Sequence, residues 1–195
     1  MRKIKGLLIV DVQNDFTEGG ALGVDGGAQV AKDVSAYLAS HADDYDLVLA
    51  SRDWHDADND NGGHFAVDGV PNFVDTWPVH CVAGTAGAEY HPDLDTSRVD
   101  VHIKKGQGEP SYSMFEGVSD DGKTVAEILD EQGITEVDVV GIATDHCVRA
   151  SAIDALGAGQ KVTVLTDLIA AVAPDTGEKA LEELVSRGAA LQTSS

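Results

Sequence analysis

Three side chains whose types could together carry out acyl chemistry are spread along this 195-residue chain: Asp11, Lys105 and Cys147. Cys147 sits in GIATDHCVRASAIDA, where the apolar run Val137–Ala143 gives way to a helical pattern that Thr144 or Asp145 is suited to cap. A thiol in a first helical turn meets free backbone N–H groups and the positive end of the helix dipole, which favour thiolate. The competing reading is an ordinary buried cysteine. Lys105 closes a strand-like run in which Val99, Val101, Ile103 and Lys105 share one face and His102 and Lys104 the other. A partly desolvated lysine there needs an anion or loses its proton. Asp11, at the end of the first apolar run, is such an anion. In that set Lys105 stabilises thiolate, Asp11 accepts and returns the proton, and Cys147 attacks an amide carbonyl to form a thioester. The N–H of Cys147 and that of a preceding residue would bind the oxyanion.

A second group has the composition of a metal site. Asp53 and His55 are two apart, so extended backbone puts both on one side; His64 and His80 follow in the next segment. One carboxylate, three imidazoles and room for water suit zinc, iron or manganese, although exposed loop histidines are also common. His41, His91 and His102 read as helix end, loop and strand.

The elements that must position these groups alternate. Strand candidates are Ile4–Asp11, Leu47–Arg52, Val99–Lys104, Val137–Ala143, Val162–Thr166 and Ala189–Thr193. Several are nearly continuous in Val, Ile and Leu, as strands covered on both faces are. Helix candidates are Gly27–His41, Lys123–Gln132, His146–Gly157 and Thr176–Ser186, the last announced by Pro174 and Asp175 and stopped by Gly188. The pattern predicts one α/β domain over 1–195: three layers, α/β/α, with a doubly wound, mostly parallel, six-stranded sheet. A segment rich in Gly, Asp, Asn and Pro from Asp53 to Arg98 interrupts the rhythm and holds four of the seven histidines. A loop of that length is usually functional or disordered, and its histidines and tryptophans favour function. In open α/β sheets ligands bind beyond the carboxyl ends of the strands, where Asp11, Lys105 and Cys147 all fall.

A net charge of −21 argues against nucleic acid and anionic membrane surfaces, which need clustered Lys and Arg. No apolar run approaches the ~20 residues of a membrane span. The N-terminal MRKIKGLLIV runs straight into Asp11 without a small-residue cleavage site, so it reads as a first strand and not a signal peptide. Two cysteines, Cys81 and Cys147, are too few for a disulfide framework and fit a reducing, cytoplasmic setting. A nucleotide-binding module of the same fold class should carry glycines after the first strand; Asp11 and Asp15 stand there instead, and the Gly84–Gly87 pair follows no clear strand.

Ordered segments of the chain resemble the isochorismatase-like cysteine hydrolases, and most closely their nicotinamidase branch, which also hydrolyses pyrazinamide. The segments are LLIVDVQNDF at Leu7–Phe16, SRDWH at Ser51–His55, WPVHCVAGTAGAEYHP at Trp77–Pro92, KG at Lys105–Gly106, YSMFEG at Tyr112–Gly117 and GIATDHCVRASAIDA at Gly141–Ala155. The resemblance implies the triad Asp11, Lys105 and Cys147, with Lys105 preferred over Lys104 because the family lysine directly precedes glycine. It implies a cis peptide between Ile142 and Ala143 and an oxyanion hole from the N–H groups of Ala143 and Cys147. It further implies a divalent metal (Zn, Fe or Mn) on Asp53, His55 and His80, with His64 added in some members, and no organic cofactor. Here Asp56–Gly63 makes a longer connection than the family pattern leads one to expect. Phe16, Trp77 and Tyr112 match positions that sandwich the substrate ring. The implied reaction is hydrolysis of nicotinamide, a small heteroaromatic amide, to nicotinate and ammonia in NAD salvage. Carbamoyl-amine hydrolases share the triad and isochorismatases the scaffold, so both are alternatives; self-association is common in the family.

Overall fold

The computed structural model describes residues 4–66 and 68–195. Six strands form one sheet: β1 (Lys5–Val10), β2 (Leu47–Asp53), β3 (Val101–Lys105), β4 (Glu136–Ile142), β5 (Lys161–Ala170) and β6 (Ala190–Gln192). The spatial order is β3-β2-β1-β4-β5-β6, and every pairing is parallel. The strands are apolar on both sides because both sides are covered. Leu7, Ile9, Val48, Ala50, Val140 and Ile142 pack toward helix α1 (Gly27–His41). Leu8, Val10, Leu49, Ile103, Val137 and Val139 pack toward α2 (Val125–Glu131), α3 (Arg149–Gly157) and α4 (Pro174–Ser186). The three-layer, doubly wound arrangement follows. From β1 the chain winds outward one way to β2 and β3, then returns to β4 and winds the other way, so right-handed crossovers place α1 opposite the other helices. The direction reverses between β1 and β4, and a crevice opens there at the carboxyl ends of the strands.

Several boundaries differ from the sequence expectation for identifiable reasons. Asp11 adopts φ +48° and leaves β1 at Val10, which turns its carboxylate out of the pleat. The strand expected at Val162–Thr166 runs from Lys161 to Ala170, because a register shift between Val139 and Gly141 lets it continue pairing to Ile142. The helix expected from Lys123 starts at Val125, where Thr124 and Glu127 form a reciprocal capping box. That expected at Thr176 starts at Pro174, a residue whose fixed φ suits a first turn. The third candidate does not begin as an α-helix. Thr144–Val148 makes a π-helical turn before α3, without a side-chain cap.

The long segment after β2 carries no strand of its own among the described residues. Isolated bridges His55–Val82 and Phe65–Trp77 organise it instead. No helix among the described residues is long and apolar enough to cross a membrane.

Candidate active site

Lys105 organises the site. Its ammonium is fully buried at the end of β3 and ion-pairs with Asp53, lies 2.9 Å from Asp11 Oδ2, and lies 3.7 Å from Cys147 Sγ. Burial alone would strip its proton, but Asp11, Asp53 and the Cys147 side raise its pKa well above the ordinary lysine value, so it is a permanent cation. The two carboxylates then divide. Burial resists ionisation of Asp53, yet Lys105, His55 and His80 hold its pKa well below the usual range. Asp11 is shifted up: burial dominates, and the Asp53 charge adds to it against Lys105. The Ser51 hydroxyl donates to Asp11 Oδ1 at 2.7 Å and fixes its orientation.

The thiol is not the ready thiolate that a helix terminus suggests. Cys147 is buried, which pushes its pKa well above the ordinary thiol value; Lys105 offsets this only in part, and Asp11 and Asp53 push it up again. One cation shared by two carboxylates has little left to stabilise a third anion. The resting pair is therefore Cys147 thiol and Asp11 carboxylate, with the proton moving as the sulfur attacks.

The π turn places Cys147 directly above the end of β4. Val10 pairs with Gly141, whose φ of +119° and missing Cβ let the two strands touch; a methyl there would collide with the Val10 carbonyl. The peptide between Ile142 and Ala143 is cis. Asp145, one of the two residues suited from sequence to cap its own helix, reaches 27 residues onward. Its carboxylate accepts from the N–H groups of Val172 (2.9 Å) and Ala173 (3.2 Å) and from the Thr176 hydroxyl (2.6 Å), tying the nucleophile turn to the start of α4.

The imidazoles of His55, His64 and His80 converge beside this network, with one potential ligand atom from each lying within 4.8 Å of the others. The second oxygen of Asp53 faces them, 3.4 Å from His55 Nε2 and 3.7 Å from His80 Nε2. His55 Nδ1 bonds to the Gly106 carbonyl and His80 Nδ1 to the Pro78 carbonyl, both at 2.7 Å. A carbonyl only accepts, so Nδ1 of each ring carries a proton and Nε2 is the atom turned toward the centre. Gly106, at φ +80°, makes this possible, because a Cβ would stand 2.5 Å from the His55 ring. Burial, reinforced by His55 and His80, pushes His64 down to about 3. His55 Nε2 and His64 Nδ1 are buried without a hydrogen-bond partner. Imidazoles aimed at one point beside a carboxylate, with orphaned nitrogens, form a donor set that fits a divalent cation. The longer Asp56–Gly63 connection does not displace His64; Asn61 folds it back by accepting from the N–H groups of Asp56 (2.8 Å) and Gly108 (3.0 Å).

A largely apolar cavity of about 420 Å³ joins Cys147 and Ala143 to His64 and His80, within the range of small-molecule sites. Phe16, Trp77 and Tyr112 line it, and Trp77 Nε1 donates to Tyr112 Oη at 3.0 Å. All the residues singled out from the sequence thus meet in one place. Others were given no chemistry in the sequence reading, His146 being taken there as structural. His146 lines the cavity edge-on to Trp77, with ring centroids 5.3 Å apart. Ser111, also in the lining, carries a buried hydroxyl with no partner. Gln13 and Asp15 are clamps: Gln13 bonds to both the N–H and the carbonyl of Asp53, and Asp15 accepts from Cys81 N at 2.7 Å. Their signal lay in the motif LLIVDVQNDF, but nothing local reveals partners 40 to 66 residues away. Cys81 and Cys147 are both unpaired.

Comparison with known proteins gives a consistent picture. Residues 5–195 match the family model of the Isochorismatase domain. The chain is 49% identical, over 98% of its length and 100% of the other's, to a nicotinamidase/pyrazinamidase of Mycobacterium tuberculosis. The solved pyrazinamidase of Pyrococcus horikoshii in complex with zinc superposes with a TM-score of 0.82 at 38% identity, covering 97% of this chain and 98% of that one. PnC1 from L. infantum in complex with nicotinate gives a TM-score of 0.84 at 36% identity, covering 98% and 93%.

Proposed function

The chain belongs to the Isochorismatase family, and from that premise we propose that it hydrolyses nicotinamide to nicotinate and ammonia, and pyrazinamide to pyrazinoate. The observation that carries the reading is the junction at Lys105. A cysteine–lysine–aspartate set and a three-histidine cluster share one buried cation at the floor of one apolar cavity. An uncharged, flat heteroaromatic amide is the ligand such a cavity suits.

In this mechanism the ring lies among Phe16, Trp77 and Tyr112, with its carboxamide over Cys147. Sγ attacks the carbonyl carbon as its proton passes to Asp11. The N–H groups of Ala143 and Cys147 hold the oxyanion. Collapse breaks the C–N bond, and Asp11 returns the proton to the departing nitrogen, releasing ammonia and leaving a thioester. Asp11 then takes a proton from water, the hydroxide adds to the acyl carbon, and the proton goes back to sulfur as the carboxylic acid leaves. Lys105 keeps Asp11 in place and compensates the negative charge throughout.

Asp53, His55, His64 and His80 would hold one divalent ion: zinc, iron or manganese. Zinc is supported by the zinc-complexed relative and by the nitrogen-rich donor set. Bound there, the ion supplies a Lewis-acid contact that orients the ring nitrogen, directly or through water. A cytoplasmic setting is supported by the two unpaired cysteines, and a role in NAD salvage by the nicotinamidase relatives. The test is ammonia release from nicotinamide, pyrazinamide and carbamoyl amines by metal-quantified protein. Turnover of a carbamoyl amine with nicotinamide left intact would overturn the substrate assignment.

A further inference from the structure

Phe73 has no place in the reaction as written, yet its position is unusual. It lines the same cavity as Cys147 while remaining 57% exposed, whereas Cys147 and Trp77 are 7% and 6% exposed. Phe73 therefore stands at the mouth, and the nucleophile at the floor. Its backbone is in the left-handed region, φ +58°, which a bulky residue adopts only when its surroundings impose it. The imposing structure is a closed turn. The Asn72 side-chain oxygen accepts from the N–H groups of Val74 (2.8 Å), Asp75 (2.8 Å) and Thr76 (3.0 Å). Thr76 Oγ1 accepts from Asn72 N at 2.9 Å, and Phe73 N donates to the Thr76 carbonyl at 3.0 Å. The ring then meets Trp77 edge-to-face, with centroids 6.1 Å apart and planes at 84°.

We propose that Phe73 is a specificity-determining residue: the Asn72–Thr76 turn holds its ring as the outer wall of the cavity, where it covers the substrate ring and excludes ring substituents. A large apolar side chain left in water at a cavity mouth becomes covered when a flat ligand fills the space behind it. An exposed residue that merely supported Trp77 would not need a locked, strained turn to present it. The inference rests on the amide-hydrolase reading above.

The test uses the metal-loaded protein, Phe73→Ala and Phe73→Tyr, with nicotinamide and nicotinamides methylated at successive ring carbons. Loss of one aromatic contact raises KM for nicotinamide in Phe73→Ala about three- to tenfold, with kcat within about twofold. Discrimination against at least one methyl isomer falls about fivefold or more, since a pocket wall rejects a methyl group by about that much. Phe73→Tyr restores both. An unchanged isomer profile in Phe73→Ala, with or without a change in KM, overturns the proposal. A wild-type chain that leaves nicotinamide intact identifies the other failure, that of the substrate reading, and this inference falls with it.

Discussion

Lys105 and Asp53 form a buried ion pair through one carboxylate oxygen, while the other oxygen of Asp53 faces the imidazoles of His55 and His80. The nucleophile's network and the histidine cluster are therefore one electrostatic unit. Replacing Lys105 by Met leaves Asp11 and Asp53 buried without the cation they share. We expect a loss of about 3–5 kcal/mol in unfolding free energy along with loss of turnover. Denaturant unfolding of Lys105→Met checks this; a stability unchanged within about 0.5 kcal/mol would show that the pair carries no such charge.

The same unit predicts the effect of emptying the histidine cluster. A chelator should lower the thermal midpoint, because an ion bound only by the folded chain stabilises it by mass action. His80→Ala should bind metal at least about tenfold more weakly and raise KM for nicotinamide. Elemental analysis with steady-state kinetics reads both, and unchanged metal content in His80→Ala would remove that residue from the ligand set.

Ser51 offers a pH test. Burial raises the pKa of Asp11 above the ordinary 3.8, and the base must be ionised to accept the thiol proton, so activity falls as pH drops through that raised value. The Ser51 hydroxyl favours the ionised form, so Ser51→Ala moves the acid limb of kcat/KM to higher pH. A limb that stays in place or moves to lower pH would contradict Asp11 as the base.

Asp145 bears on stability. Although partial burial opposes it, Thr176 and the N–H groups of Val172 and Ala173 depress its pKa below 3.8. The stabilisation is complete above the unfolded-state value and is lost as pH falls through the lower folded value. Asp145→Asn should cost about 1 kcal/mol near neutral pH, modest because the group is only partly buried, and the cost should shrink at strongly acid pH. Urea unfolding at neutral and acid pH decides; a pH-independent difference would exclude a charge-based role.

Much of this was legible in the sequence, and what was not has a common cause. Continuous Val, Ile and Leu runs announced the parallel sheet because both faces are buried. Asp11, Lys105 and Cys147 could be aligned because each closes or follows such a run. Local pattern failed where a partner comes from far away. Asp145 looked like a cap for its own helix, but the start of α4 presents three donors to it. Cys147 looked poised as thiolate because helix position is a local property. Its environment is set first by burial, and then by Lys105 and two carboxylates that the fold brings from the ends of β1 and β2. Phe73 was hidden in a segment without periodicity, where only the hydrogen bonds of Asn72 show which way the chain turns.

The most direct test of the account is ammonia release from nicotinamide by Cys147→Ala, with folding and metal content measured on the same sample. The account predicts an intact fold, unchanged metal and no turnover above background, since no other thiol lines the cavity among the described residues. Turnover retained within about tenfold of wild type would contradict it.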